Sequence, residues 1–339
     1  MTRAGRPTSV RGERGVALVV VLLMLGLLLT IVAEFAQAMR LEAVTALNFR
    51  SAVSETWLAQ AAYQRALAEL MPEVIDHELD TSGTLVFRRS RIGTITAPQR
   101  LDVALDPGRL SYRVTDETAR MNVNRLGRDG LDRVLQELGV EKTERDVIVD
   151  SIQDWRDANE EHRLNGAESD YYLGLTPPYR SKNADFDSVD ELLQVRGVTR
   201  ALLYGQGETP GLAEYLTVFG TGAINVNTAS PLVLRAALGL APAEVDVLIG
   251  RRPYTDLTAL PPGLRRGNQR TTSDTFRIEA WAGGPVPVGR VLTAVVGRQP
   301  VGTADSVPRY WRWSDVARTP AGSGTGGSSA ERPAAKAGR

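Results

Sequence analysis

Eighteen uncharged residues, Val16 to Ala33, follow a short basic leader and lead into a stretch with no Gly or Pro from Leu27 to Met71. A bilayer-spanning helix needs about 20 apolar residues, with a lower bound near 17, so this run is long enough to cross a membrane. The leader MTRAGRPTSVRGERG sets Arg3, Arg6, Arg11 and Arg14 against Glu13 alone. Positive charge at one end of a span keeps that end cytoplasmic and exports the chain beyond the span. The sequence therefore predicts a single-pass chain anchored in the inner membrane, with its bulk on the periplasmic side.

Three readings of the apolar run compete. It can be an ordinary signal anchor followed by a separate helix. It can be a cleaved secretory signal, with Ala36-Gln37-Ala38 as the site, although its core is long for a signal and the next residues continue a helix. The third reading fits best: Arg14-Gly15 followed by VALVVVLLMLG resembles a type IV pilin leader junction, cut between Gly15 and Val16. Beyond the membrane the chain is rich in Ala, Leu, Glu, Gln and Arg, all strong helix formers. Leu58, Ala62, Ala66 and Leu70 recur every four residues, joined by Tyr63 and Leu67, which gives one apolar stripe to pack on a domain. A single helix over residues 16–71 would be roughly 84 Å long.

Composition narrows the rest. Lys plus Arg and Asp plus Glu each total 40, so the net charge is zero and no broad basic footprint offers itself to nucleic acid. Cysteine is absent, which excludes disulfides and thiol chemistry from an exported protein. Stability must come from packing or a bound ion.

Strand-like segments TLVFRRSRIGTITA, RLDVALD and RLSYRV lie before residue 115, and DTFRIEAWAG and GRVLTAVVG come only after residue 273. Helices and loops fill the interval. The expected organisation is a leader (1–15), an N-terminal helix (16–72), a sheet built from 73–118 and 268–299, an inserted helical domain (119–267) and a flexible tail (300–339), in which YWRWSD is a candidate for one last packed segment. The insertion carries an echo: Met121-Asn122-Val123-Asn124 and Ile224-Asn225-Val226-Asn227 each open a helix that a Gly closes before a second helix follows. Two helical-hairpin subdomains are expected. In the tail, GSGTGG has the spacing of a dinucleotide fingerprint, but no strand precedes it and no helix follows.

Catalytic signatures are scarce. The two histidines, His77 and His162, sit among polar neighbours, and no nucleophile, base and orienter assemble. The turn Leu193-Gln194-Val195-Arg196-Gly197-Val198 resembles a helix-hairpin-helix turn, but its second glycine is Thr199 and only Arg196 and Arg200 offer charge. Packing is the preferred role; an exported DNA-binding protein is the alternative. The richest stretch is DWRDANEEHRLNGAESD, Asp154 to Asp170, whose hard oxygen donors and flexible Gly166 suit calcium with six to eight ligands. It lacks EF-hand spacing, and an exposed acidic loop is the alternative.

These pieces together resemble the general secretion pathway protein K family, the large minor pseudopilin of type II secretion systems. The likeness rests on the Gly15 junction, Met121 to Asn124, DWRD at Asp154 to Asp157, GAESDYY at Gly166 to Tyr172, PPYRSKN at Pro177 to Asn183, SVDELLQVRGV at Ser188 to Val198, and INVNTA at Ile224 to Ala229. Major pilins carry Glu as the fifth residue after cleavage; Val20 stands there here, an absence the K family shares. A subunit without that Glu suits a filament tip, where no subunit lies above it. Val16 departs from the Phe or Met with which many pilins begin. The resemblance implies an α+β, pilin-like fold, with a long transmembrane helix packed on an antiparallel sheet and a large helical insertion. It implies no catalysis, and as partners the I and J minor pseudopilins, the major pseudopilin and the inner-membrane secretion platform. A minor pilin of a type IV pilus is the nearest alternative. The family's helical domain binds calcium, with Asp154, Asp157, Glu160, Glu168 and Asp170 as candidate ligands here.

Cleavage is expected between Gly15 and Val16. The intact mass of the membrane-extracted protein checks this, and a mature chain beginning at Met39 would overturn the pilin reading.

Overall fold

In a computed structural model of the chain, the described residues are 13–70, 74–79, 85–89, 95–96, 99–106, 108–207, 209–297 and 308–316. Leader residues 1–12 and the tail residues 317–339, with their GSGTGG, lie outside them. The chain divides into two compact units, Met1–Trp57 and Leu58–Arg339.

The described part of the first unit is helical. Helix α1 (Glu13–Leu70) runs without interruption, so the apolar segment and the amphipathic one form one helix and not an anchor followed by a second. Its most apolar 18-residue window has mean hydropathy 3.1 and no buried residue. Backbone hydrogen bonds closed within the helix and side chains turned outward are what a lipid solvent demands. This helix is long and apolar enough to cross a membrane.

The second unit opens with the last turns of α1. Ala62, Tyr63, Ala66 and Leu70 are buried there against Leu110, Tyr112, Val114, Ile278, Leu292 and Ala294. Small alanines let the helix approach the sheet closely, and the four-residue spacing keeps them on one face. Strands β1 (Val74–Leu79), β2 (Leu85–Arg89) and β3 (Ile95–Thr96) form a three-stranded antiparallel sheet of their own. Strands β4 (Gln99–Leu105) and β5 (Gly108–Asp116) belong to the main sheet. Between β5 and β10 come β6 (Met121–Asn122), β7 (Leu216–Thr217), β8 (Ile224–Asn225) and β9 (Gln269–Arg270). Strands β10 (Thr275–Ala282), β11 (Gly289–Gly297) and β12 (Pro308–Val316) complete the main sheet, in the order β12-β11-β10-β5-β4, antiparallel throughout.

Strand β12 corrects the sequence reading, which placed residues 308–316 in a flexible tail. Trp313 and Trp311 pair with Leu292 and Ala294 of β11, and Trp311 meets the Tyr63 ring edge-on at 4.8 Å. Aromatic contact with the α1 face, through half-exposed Trp311 and partly buried Trp313, helps to hold this strand. The separate β1–β3 sheet is a second departure from the single sheet expected over 73–118.

The helical insertion leaves the sheet at Asp116 and returns at Thr275, and Asp116 pairs with Phe276 across β5 and β10. It holds α2 (Arg128–Glu137), α3 (Lys142–Arg156), α4 (Ser169–Leu173), α5 (Arg200–Tyr204), α6 (Leu212–Tyr215), α7 (Pro231–Leu238) and α8 (Pro242–Gly250) around their own core, which includes Val134, Ile148, Trp155, Leu192, Leu234 and Leu248.

Two buried carboxylates tie the neck. Asp116 accepts from Thr118 N, Thr118 Oγ1, Ser273 Oγ, Asn225 Nδ2 and Thr228 Oγ1 at 2.5–2.8 Å. Glu117, 1% exposed, takes a bidentate pair from Arg277 at 2.8 and 2.9 Å and a hydrogen bond from Thr217 Oγ1 at 2.6 Å. Burial pushes the Glu117 carboxyl up, but Arg277, Arg120 and these hydrogen bonds outweigh it and leave it below the usual range. Its contribution to stability is therefore present above the ordinary carboxylate range and fades as acid protonates it.

Asp116→Ala strands buried donors from three segments at once. A loss on the order of 3 kcal/mol or more is expected, read by denaturant unfolding of the detergent-solubilised chain. A loss below about 1 kcal/mol would remove Asp116 from its role as the clasp.

Candidate metal centre

Helix α3 buries Ile148, Val149, Ile152 and Trp155 in the core of the insertion. That orientation places Asp150 and Asp154 at i and i+4, along one stripe of the helix's C-terminal half, with Asp157 at the C-cap in extended backbone. Acidic groups there oppose the helix dipole, whose C-terminal end is itself negative. Asp150 and Asp154 are 2% and 0% exposed, so the cost is not relieved by water. Cations must answer it.

Arginines do so in part. Arg128 pairs with Asp150, whose other oxygen accepts from Asn165 N and Nδ2 at 3.2 Å. Arg163 Nη1 bridges Asp154 Oδ1 and Asp157 Oδ2 at 2.5 Å each. The chain then doubles back over the stripe, and Gly166 allows it: a Cβ at this position would lie 1.8 Å from Asp154 Oδ2. Beyond the turn Glu168 is 1% exposed. Its Oε2 accepts from Ser181 Oγ at 3.3 Å, while Oε1 has no partner among the described residues. Burial, then the charges of Asp154, Asp157 and Glu160, raise this carboxyl to about 7.

The five candidate residues do not converge equally. Asp154, Asp157 and Glu168 act on one another across the loop. Glu160 flanks them, accepting from Ser169 N at 3.2 Å and from Ser169 Oγ and Asn183 Nδ2 at 3.0 Å. Asp170 stands apart on the surface, 74% exposed, 3.0 Å from His162 Nε2. Among the described residues, no three acidic or histidine side chains already stand in a metal-holding arrangement; Arg163 sits between the two aspartates. Hard carboxylate donors, an unpartnered buried oxygen and a glycine cradle nonetheless fit a calcium ion.

Sequence reasoning missed Asp150 and the supports of the loop. Trp155 packs against Tyr172 and Phe186 and donates to Glu191 Oε1 at 2.9 Å. Arg196 of the hairpin-like turn donates to Gly166 O at 3.1 Å and lies over the Tyr171 ring. A Cβ on Gly197 would meet Ile148 Cγ1 at 2.7 Å, so that turn packs on α3. The turn resembling a DNA-binding motif thus braces the acidic loop.

Glu168→Gln removes a charge that its surroundings disfavour. A carboxyl raised to about 7 loses stability for the fold as pH climbs from the ordinary carboxylate range through that value. In excess chelator at pH 8, E168Q is expected to melt a few degrees above wild type, with the gap closing at pH 5. A variant that melts lower at pH 8 would show that the carboxylate is already compensated.

Comparison with known proteins matches these features to one group. The family model for the type II secretion system protein K matches residues 115–205, which include Asp116 and Glu117 of the neck, the acidic stripe and its loop. The type II secretion system protein K of Aeromonas hydrophila is 30% identical over 244 residues, 66% of this chain and 69% of that protein. Its namesake in Pseudomonas aeruginosa is 29% identical over 264 residues, covering 71% and 73%, and that of Pectobacterium carotovorum 27% over 288 residues, covering 77% and 83%. Among solved structures, the GspK-GspI-GspJ complex from enterotoxigenic Escherichia coli contains a chain similar in fold. The TM-score is 0.57 at 16% identity, over 80% of this chain and 97% of that one. By the identity and shared length of these relatives, the chain belongs to the type II secretion system protein K family.

Proposed function

We propose that the chain is the minor pseudopilin that initiates or caps a type II secretion pseudopilus, for export of folded proteins across the outer membrane. The observation that carries this is the insertion over residues 117–274, grown from one end of a helix-on-sheet unit. Such bulk is hard to stack between subunits above and below, and suits a terminal position. Val20, where a filament-body subunit carries a glutamate, supports the same placement. The insertion and sheet are assigned to the periplasm, with α1 as the anchor. The solved relative is a complex of GspK with GspI and GspJ, so the I and J minor pseudopilins are the assigned partners, with the major pseudopilin and the inner-membrane platform completing the assembly. The role is structural and not catalytic.

Calcium is assigned to the acidic loop. Asp154, Asp157 and Glu168 would hold it, with Glu160 alongside and Asp170 outside the group. The ion would add to the positive charge that Arg163 gives the two aspartates. No nucleic-acid partner is assigned.

Two measurements test these assignments. Phe49, Val53 and Trp57 form an exposed apolar row on α1, 71%, 39% and 67% exposed, whereas Ala62 and Ala66 are buried against the chain's own sheet. Changing the three exposed residues to Asp is expected to abolish co-purification with the I and J pseudopilins while the domain's melting point stays fixed; undiminished co-purification would sink the assembly role for this row. For calcium, a hundredfold excess over Kd adds about 2.7 kcal/mol to native stability. A melting curve unchanged between millimolar calcium and excess chelator would return the loop to a solvated acidic segment.

A further inference from the structure

The two Asn turns share more than their sequence. Asn124 exchanges a reciprocal pair of hydrogen bonds with the backbone of Phe186, at 2.8 and 3.0 Å. Asn227 accepts from Tyr254 N at 2.8 Å and donates to Tyr254 O at 2.9 Å. At the end of the second helix of the first copy and just past it in the second, an arginine grips the turn. Arg156 donates to the carbonyls of Val123 and Leu126, and Arg252 donates to the carbonyl of Ala229, the residue matching Leu126, at 2.6 Å.

The copies differ in what neutralises that arginine. Arg156 is pulled down by burial and by Arg163 and Arg125, but Asp185 and Asp157 also lie in its field. Arg252 is followed by Pro253, and among the described residues no carboxylate pairs with it; Tyr254 is its one favourable electrostatic neighbour. Its Nε is buried with no hydrogen-bond partner, and burial pulls the guanidinium down to about 10. A half-buried guanidinium with no carboxylate paired to it and an unused buried donor is costly, and a fold does not need it merely to close a turn that three other hydrogen bonds already close.

Arg252 lines a cleft of about 550 Å³ at the junction of the sheet and the insertion. Thr115, whose Oγ1 is likewise buried without a partner, lines the same cleft, and Tyr215, Val233 and Ile249 give it apolar walls. Of the acidic residues on its lining, Asp116 is held by its five donors, and the exposed Glu214 lies in the field of Arg120, whose guanidinium donates to the backbone carbonyls of Ala213 and Glu214.

We propose that this cleft binds a carboxylate carried on a short branched apolar body, with Arg252 and Thr115 as its donors. The ligand gives Arg252 the carboxylate neighbour that it lacks among the described residues. The assignment does not depend on the secretion role. A free branched-chain acid or an acidic side chain beside an apolar one in a partner polypeptide presents this chemistry.

The test uses the full chain in neutral detergent, with isovalerate and its uncharged analogue isovaleramide as probes, read by thermal melting and calorimetric titration. Isovalerate is expected to raise the melting point in a saturable way, isovaleramide to have at least tenfold weaker effect, and Arg252→Met to abolish the response. Thr115→Val, which keeps the charge, is expected to weaken it several-fold and stands in should Arg252→Met fail to fold. An equal response to both probes, or one unaltered in these variants, overturns the site. An acetylated, amidated Leu-Glu dipeptide separates the sources: binding tenfold tighter than isovalerate points to a polypeptide partner, and tighter isovalerate to a free acid.

Discussion

The buried carboxylate of Asp116 is the constraint on which the rest of the second unit turns. It ends the strand from which the chain departs, and its oxygens gather donors from the first turn of the insertion, from the second Asn turn and from the returning segment at Ser273. Removing an ion from water costs several kcal/mol, repaid only where donors are complete and well placed. Five donors at one carboxylate meet that condition, and they do so only when strand β10 lies in register with β5. Glu117 and Arg277 repeat the logic one residue on. The neck is thus specified by polar groups that tolerate one arrangement, while the two apolar cores on either side would tolerate several.

The insertion is a duplicated device with one elaboration. Each copy sets an Asn turn, two helices and an aromatic residue whose backbone the second Asn secures. In the second copy that Asn and its aromatic are 27 residues apart, and in the first 62. The extra chain is the acidic loop with its supports. A candidate ion site therefore occupies the one stretch the repeat does not need for its own closure.

Much of this was legible in the sequence because it is local. The span shows in an unbroken apolar run, the helix-on-sheet contact in the four-residue spacing through Ala62 and Ala66, and the insertion in strands that stop near Tyr112 and resume after Asp274. The echo of Asn122 and Asn225 marked both turns. Strand β12 was legible only as the packed segment YWRWSD and not as a strand of the sheet: its partners lie on β11, and Pro300 and Pro308 with a polar interval conceal that Trp311 and Trp313 fall on one face. Within the site, composition found the acidic stretch, but density along the chain does not say which carboxylates meet in space. Asp170 turns outward to His162, while Asp150, just before the stretch, turns inward. Arg163 looked like one polar loop residue among many and proves to bridge two aspartates.

The insertion hangs from two neighbouring antiparallel strands, and it hangs from the same end of both. Traction on it along the strand direction would load their hydrogen bonds one rung at a time from Asp116 and Phe276 onward, as a zipper opens, and not all rungs together as in shear. Strands loaded this way part at low force unless the first rung is reinforced. The reinforcement stands at that rung, where Asp116, Glu117 and Arg277 cross between the strands and the inserted chain, so the polar neck doubles as a mechanical stop for whatever load the insertion meets.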